Sequence, residues 1–197
     1  MSEPNEIYYV VLRGAGRQSI FVSDDDRRDF TDIVAAAAAT CHLTVYAYCW
    51  LQSEARLAVA IADVPISQFA QRVADLHVRR WERHVALTGS HFEQKYRGVL
   101  VSGQTALLDL VRHIHLAPLK AGLTQDPAAY PWSSHRAYLG LEEAPWLALE
   151  SALRCFADEG GDARRGYAEF MGQAVQRVET PATLSNVAAD PRPQNEK

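Results

Sequence analysis

A chain of 197 residues, 48% hydrophobic and 22% charged, is long enough to bury one substantial core and too short for several large domains. Its formal net charge of −4 excludes a uniformly basic nucleic-acid binder, and no run approaches the roughly 20 apolar residues that span a bilayer. Cys41, Cys49 and Cys155 are odd in number and lack Cys-x-x-Cys spacing, so reduced, mostly buried thiols are expected, in a cytoplasmic protein without a secretory leader.

The first predicted element is a strand, Ile7 to Arg13, rich in β-branched and aromatic residues and ending at Gly14-Ala15-Gly16. Ser23 and Asp26 have the spacing of a helix-start capping pair, and Phe30, Ile33, Val34, Ala37 and Cys41 extend it as an apolar stripe. Asp24-Asp25-Asp26 is expected to act as solvated capping charge and not as a metal site. His42 to Leu51 alternates, which predicts Leu43, Val45, Ala47, Cys49 and Leu51 on one face of a strand and Thr44, Tyr46, Tyr48 and Trp50 on the other, with both faces covered. A turn at Gln52-Ser53 leads into a partner strand, Arg56 to Ala62, with Leu57, Val59 and Ile61 inward.

After Pro65, apolar positions recur every fourth residue at Phe69, Val73, Trp81 and Val85, and His77 falls on the same stripe of a long helix that Gly89 ends. Tyr96 to Val101 is a predicted fourth strand, and Thr105 to Leu116 a helix closed by Pro118 and Gly122. From Gln125 to Gly140 an ordered loop is expected, anchored by Trp132 and Tyr138, and two short helices follow around Ala148 to Ala157 and Arg164 to Val175. His113 and His115 stand about 200 degrees apart on a helix, so they are not expected to share a cation.

This order predicts an α+β fold of the ferredoxin-like or RRM-like type, an antiparallel sheet with helices packed on one side, plus a C-terminal helical extension. The expected organisation is a domain over 1–145, the helical extension over 146–178, and a disordered polar tail over 179–197. Charge is uneven along the chain. Gln71 to Lys120 holds eight Lys/Arg against four Asp/Glu, with five histidines, whereas from Leu141 onward acids outnumber bases ten to six. The middle of the chain is therefore the candidate binding region.

Four segments carry a resemblance. Arg13-Gly14-Ala15-Gly16-Arg17 with Asp24-Asp25-Asp26-Arg27, Gly89-Ser90-His91-Phe92-Glu93-Gln94-Lys95-Tyr96-Arg97, Ile114-His115-Leu116-Ala117-Pro118-Leu119-Lys120-Ala121-Gly122-Leu123, and Tyr130-Pro131-Trp132-Ser133-Ser134 occur in that order. Together they resemble the REP-associated branch of the HUH-type single-tyrosine transposases, with Ala117 where that family usually has Asn. The resemblance covers about residues 8 to 140.

It implies a DNA-transposition ancestry and a metal-dependent strand-transfer chemistry whose residues are missing here. Active members place two histidines, one residue apart, at the start of the third strand, where they hold a divalent cation. The aligned triplet is Glu54-Ala55-Arg56, and a guanidinium has no lone pair to offer a metal. The family's nucleophilic tyrosine aligns near His77, yet no tyrosine lies between Tyr48 and Tyr96. Glu54, Arg56 and His77 are thus degenerate positions. His77 reads as a satisfied core-edge histidine, the ancestral metal site is expected to be lost, and no cofactor is expected.

What the resemblance leaves is binding to hairpin single-stranded DNA or RNA, without membrane association, by a monomer or homodimer. The candidate contacts are Arg13, Arg17, Arg56, Arg79, Arg80, Arg83, Lys95, Arg97 and Lys120 for phosphate, and Tyr96 for stacking on a base. The competing readings are a protein–protein interaction module or a non-functional relic of a transposase, and an atypical transposase or nickase that still acts.

Overall fold

The computed structural model describes residues 6–61, 64–81, 92, 97–101, 103–157 and 161–179. The β-branched run Ile7–Arg13 forms β1, followed by helix α1 (Asp24–Thr40), β2 (Thr44–Trp50), β3 (Glu54–Ala60), α2 (Ile66–Trp81) and β4 (Arg97–Val101). Then come α3 (Gln104–His115), the short α4 (Ala117–Lys120) and α5 (His135–Tyr138), α6 (Leu149–Leu153) and α7 (Ala163–Glu179). The four strands form one sheet in the order β2-β3-β1-β4, every neighbouring pair antiparallel. This is the predicted α+β architecture. The start of α1 is capped as expected: Ser23 Oγ accepts from the Asp26 N–H at 3.1 Å, and the Asp26 carboxylate accepts from the Ser23 N–H at 2.9 Å.

Helices cover both faces of the sheet, as the pattern of His42 to Leu51 suggested for β2, where the fold type inferred from element order placed them on one side. Val10 and Leu12 of β1 and Ala55, Leu57 and Val59 of β3 pack under α1 and α2, against Phe30, Val34, Phe69 and Val73. On the opposite face, Ala47 and Cys49 of β2 and Ala58 and Ala60 of β3 meet Leu107, Val111 and Ile114 of α3 and Tyr167 and Met171 of α7. The small side chains at 47, 58 and 60 leave room for the α3 backbone to approach, and an apolar second face must be buried.

Simple alternation fails in β2 because its pairing with β3 shifts register between Val45 and Ala47. The irregularity at Tyr46 changes the phase of the strand. Leu43 and Val45 lie in the α1/α2 layer, Ala47, Cys49 and Leu51 in the α3 layer, and Tyr48 and Trp50 return to the α1/α2 side. There Trp50 Nε1 donates to Thr31 Oγ1 of α1 at 2.9 Å, and its ring meets Phe30 edge-on at 5.0 Å.

The loop between α4 and α6 covers the outer edge of β2. The N–H groups of Trp50 and Ala148 donate to the Trp132 and Val45 carbonyls at 2.8 and 2.9 Å, and the Tyr138 hydroxyl donates to the Tyr46 carbonyl at 2.9 Å. The expected ordered loop is thus a cap that satisfies an otherwise open strand edge.

Gly14, just after β1, admits no side chain. A Cβ there would stand 2.1 Å from the Gln18 carbonyl oxygen, where the loop folds back onto the β2–β3 turn through the Gly14 N–H to Ser53 and Ile20 N–H to Gln52 hydrogen bonds. Gly14→Ala is expected to lower stability by about 2 kcal/mol in urea denaturation, since backbone must move to relieve the clash. A change near zero would show that the loop is not held in this conformation.

Helix α7 is joined to the rest by a buried polar chain. Tyr167 Oη sits 2.7 Å from His115 Nδ1 and also hydrogen-bonds His135 Nδ1, while His115 Nε2 meets Ser134 Oγ at 2.7 Å. Ser134 Oγ in turn accepts from the Tyr48 N–H at 2.9 Å. His115, Ser134, His135 and Tyr167 are all buried. No carboxylate takes part, and burial, followed by the neighbouring His135, holds the His115 imidazole well below its ordinary range. Burial likewise lowers His135 to about 4, against a weaker opposing pull from Asp126.

Helix α2 is described as far as Trp81, so the expected Val85 and Gly89 lie outside the described residues, as does the tail beyond Glu179. Among the described residues, no helix is long and apolar enough to cross a membrane.

Candidate nucleic-acid interface

Because β3 alternates, burying Ala55, Leu57 and Val59 under α1 and α2 turns Glu54 and Arg56 to the α3 side of the sheet. The strand begins at Glu54, two residues earlier than predicted, and its register sets Glu54 opposite Arg13 of β1 and Arg56 opposite Val11. Arg13 Nε donates to Glu54 Oε2 at 2.9 Å, and Arg56 Nε donates to Glu54 Oε1 at 2.7 Å, with a second Arg56 nitrogen also on Oε1. One carboxylate is held by two guanidinium groups. Partial burial would raise the Glu54 pKa, but the Arg56 and Arg13 charges and hydrogen bonds outweigh it and hold the carboxyl below its usual value.

Two residues absent from the sequence-based site complete the cluster. His113 of α3 places Nε2 3.3 Å from Arg56 Nη1 and 3.3 Å from the Tyr9 hydroxyl, and its ring lies edge-on to Tyr9 at 5.4 Å. The signal was present in the sequence: Tyr9 shares the face of Arg13 at period 2, and of two histidines about 200 degrees apart, burying His115 sends His113 outward. Lys120 of α4 adds a third cation. Burial, then Arg56 and Arg112, lower its pKa. Cys49, beneath Arg56, is pushed up to about 12 by burial despite that guanidinium, so it is an unreactive thiol.

Arg13 and Arg56 face one carboxylate, and Lys120 acts on Arg56 and His113 from α4, leaving an excess of positive charge. The same arrangement does not suit a divalent cation. Both Glu54 oxygens already accept from guanidiniums, and Arg56 brings permanent positive charge to the position where a second ligand would stand. Among the described residues, no three His, Cys, Asp or Glu side chains are grouped to hold a metal.

The other candidate residues do not converge on this cluster. His77 is buried in the α1/α2 layer, where its Nε2 donates to the Ile20 carbonyl at 2.9 Å and its ring packs against Phe21, Phe30 and Phe92. The sheet separates it from Glu54 and Arg56, because α2 crosses the opposite face. Arg80, also on α2, pairs with Asp29 of α1 through two nitrogens at 2.6 and 2.5 Å and so ties the two helices together. Arg79 and Arg17 are exposed, on α2 and in the loop after β1. Arg97 begins β4 opposite Val11, and Arg83, Lys95 and Tyr96 lie outside the described residues.

A four-stranded antiparallel sheet covered by helices on both faces, with a cationic cluster at the start of its third strand, is what the chain presents for comparison. No protein-family model matches the sequence, and no curated protein does. Among solved structures, one described as a REP-associated tyrosine transposase bound to a REP hairpin matches with a TM-score of 0.60 at 12% identity, over 73% of this chain and 89% of that one. A transposase-assigned protein from Deinococcus radiodurans R1 matches with a TM-score of 0.43 at 17% identity, over 53% of this chain and 86% of that one. The first of these two likenesses shows that the chain has a transposase-like fold.

Proposed function

We propose that the chain binds structured nucleic acid, a hairpin with single-stranded flanks, through the Arg13–Arg56–Lys120 face, and that it does so without metal-dependent strand cleavage. The observation that carries this reading is the clamp on Glu54: two guanidiniums hold one carboxylate at the start of β3, and Lys120 of α4 stands within electrostatic reach of Arg56. Guanidinium groups pair with phosphate oxygens as readily as with carboxylate, so an incoming backbone phosphate can compete with Glu54 for Arg13 and Arg56. The fold shared with a transposase bound to a hairpin supports the class of ligand. It does not by itself assign an activity.

The test is binding of the purified protein to DNA hairpins, RNA hairpins and duplex DNA at two salt concentrations, with magnesium present and cleavage followed in the same samples. Three phosphate contacts predict that affinity for a hairpin falls roughly 20- to 40-fold across a fourfold rise in salt. Intact substrate is expected throughout. Absence of binding to all three would overturn the reading in favour of a protein–protein module. Metal-dependent nicking would restore the enzyme reading.

A further inference from the structure

We propose that this cluster takes up its anion together with a proton, which lodges on His113, so that the site grips phosphate more tightly as pH falls. The inference deepens the nucleic-acid reading, on which the choice of phosphate as ligand rests.

The geometry sets the protonation state of the free protein. A guanidinium has donors only, so the 3.3 Å approach of Arg56 Nη1 to His113 Nε2 requires a lone pair on that nitrogen. The imidazole is then neutral, carries its proton on Nδ1, and can accept from the Tyr9 hydroxyl as well. Every element around it supplies a charged or titratable group. Tyr9 and Arg13 come from β1, Cys49 from β2, Glu54 and Arg56 from β3, Lys120 from α4, and Asp109 and Arg112 from its own helix. Tyr9 and Cys49 are both raised by burial and stay neutral near pH 7. Arg112 is paired with Asp109 at 2.5 Å and stacked over Phe170 at 4.7 Å. His113 therefore responds chiefly to Arg56, Lys120 and Glu54. Burial of its inner edge, then the Arg56 and Lys120 cations, hold it at about 4, with Glu54 opposing.

An anion seated on Arg13, Arg56 and Lys120 reverses that field. It draws the Arg56 guanidinium away from Nε2, cancels the cationic repulsion, and presents oxygen atoms with no proton to give. A phosphodiester oxygen facing an imidazole lone pair is repelled, whereas an imidazolium N–H donates to it. The imidazole pKa must then be higher in the complex than in the free protein. A complex that binds more protons than its free components is favoured as pH falls.

The test uses the full chain and a variant, His113→Gln, which keeps hydrogen-bonding groups at the exposed rim but cannot titrate. Imidazole resonances are titrated by NMR in sodium sulfate and in sodium chloride of equal ionic strength, since sulfate does not itself titrate in this range. Hairpin affinity is measured in parallel at pH about 5.8 and 7.5, with circular dichroism at both pH values to verify that the chain stays folded where His115 and His135 begin to weaken it. Sulfate is expected to bring the His113 pKa from about 4 back to its ordinary value of about 6.5, and wild-type hairpin affinity to be about fivefold tighter at the lower pH. His113→Gln is expected to show less than about a twofold difference between the two pH values.

A His113 resonance that sulfate leaves unmoved, or an identical pH profile in His113→Gln, overturns the inference. Hairpin binding with an unmoved His113 would leave the nucleic-acid reading standing and remove the proton coupling. A sulfate-shifted His113 in a protein that ignores hairpins would keep the proton-coupled anion site and remove the nucleic acid.

Discussion

An Arg56→Glu variant is expected to bind hairpin DNA at least about 100-fold more weakly than the wild type at low salt, with the magnitude of its log–log salt slope reduced by about 1. The substitution does more than delete one contact. It places a second carboxylate beside Glu54, leaves Arg13 to neutralise both, and removes the cation that faces His113. Local charge passes from an excess of cations to near balance, and phosphate loses its partner while gaining a repelling neighbour. Arg56 has 19% side-chain exposure and sits at the margin of the α3 layer, so the fold should survive, and circular dichroism and thermal melting provide the check.

The matching control is Arg79→Glu. It changes net charge by the same amount from an exposed position on α2, across the sheet from the cluster. Its affinity is expected to stay within about threefold of wild type if the site is local, because screening confines exposed charges to about 10 Å. Equal losses in the two variants would mean that net charge, and not this face, governs binding.

The second large effect is on stability. Tyr167→Phe removes one oxygen from the buried chain and scarcely alters volume, yet that oxygen serves both His115 and His135. Two buried ring nitrogens then lose their partner, which is expected to cost about 2–5 kcal/mol in denaturant unfolding, with early loss of hydrogen-exchange protection in α7. A loss under about 1 kcal/mol would mean that water or rotamer change satisfies both imidazoles.

The same pair makes the fold acid-labile. His115 and His135 have folded-state pKa values below the unfolded value of about 6.5, so the unfolded chain binds more protons as pH falls. Their stabilising contribution is full above about pH 6.5 and declines below it. With both imidazoles buried neutral, stability at pH 5.5 is expected to lie about 3 kcal/mol under that at pH 7.5. Flat stability over that interval would indicate that one of the histidines is charged or solvated in the native state.

Much of the architecture was legible in the sequence because it depends on short-range regularities. The capping pair at Ser23 and Asp26, the helical stripe through Phe69 and Val73, the β-branched run Ile7–Arg13 and the inward Leu57 and Val59 of β3 each reflect local geometry and appear in the structure, with β3 starting two residues earlier than expected. The phase error in β2 arose because a register irregularity at Tyr46 depends on pairing with β3 and leaves no mark on the strand's own pattern. A covered second face was expected for β2 from the alternation of His42 to Leu51, but which helix would settle there depends on the whole chain.

For the candidate site, the residues of the third-strand triplet were readable by themselves. A guanidinium cannot hold a metal whatever its surroundings, so Glu54-Ala55-Arg56 already opposed a two-histidine centre. Which groups would share a face was decided only by tertiary structure. Strand register brought Arg13 opposite Glu54, α3 carried His113 to Arg56, and the sheet set His77 and Arg80 in a different layer although they lie in the same basic stretch of chain. Sequence determines the chemical capacity of each side chain and the local period of its element. Charges act through space over distances set by packing, so only the folded chain determines which of them form one field.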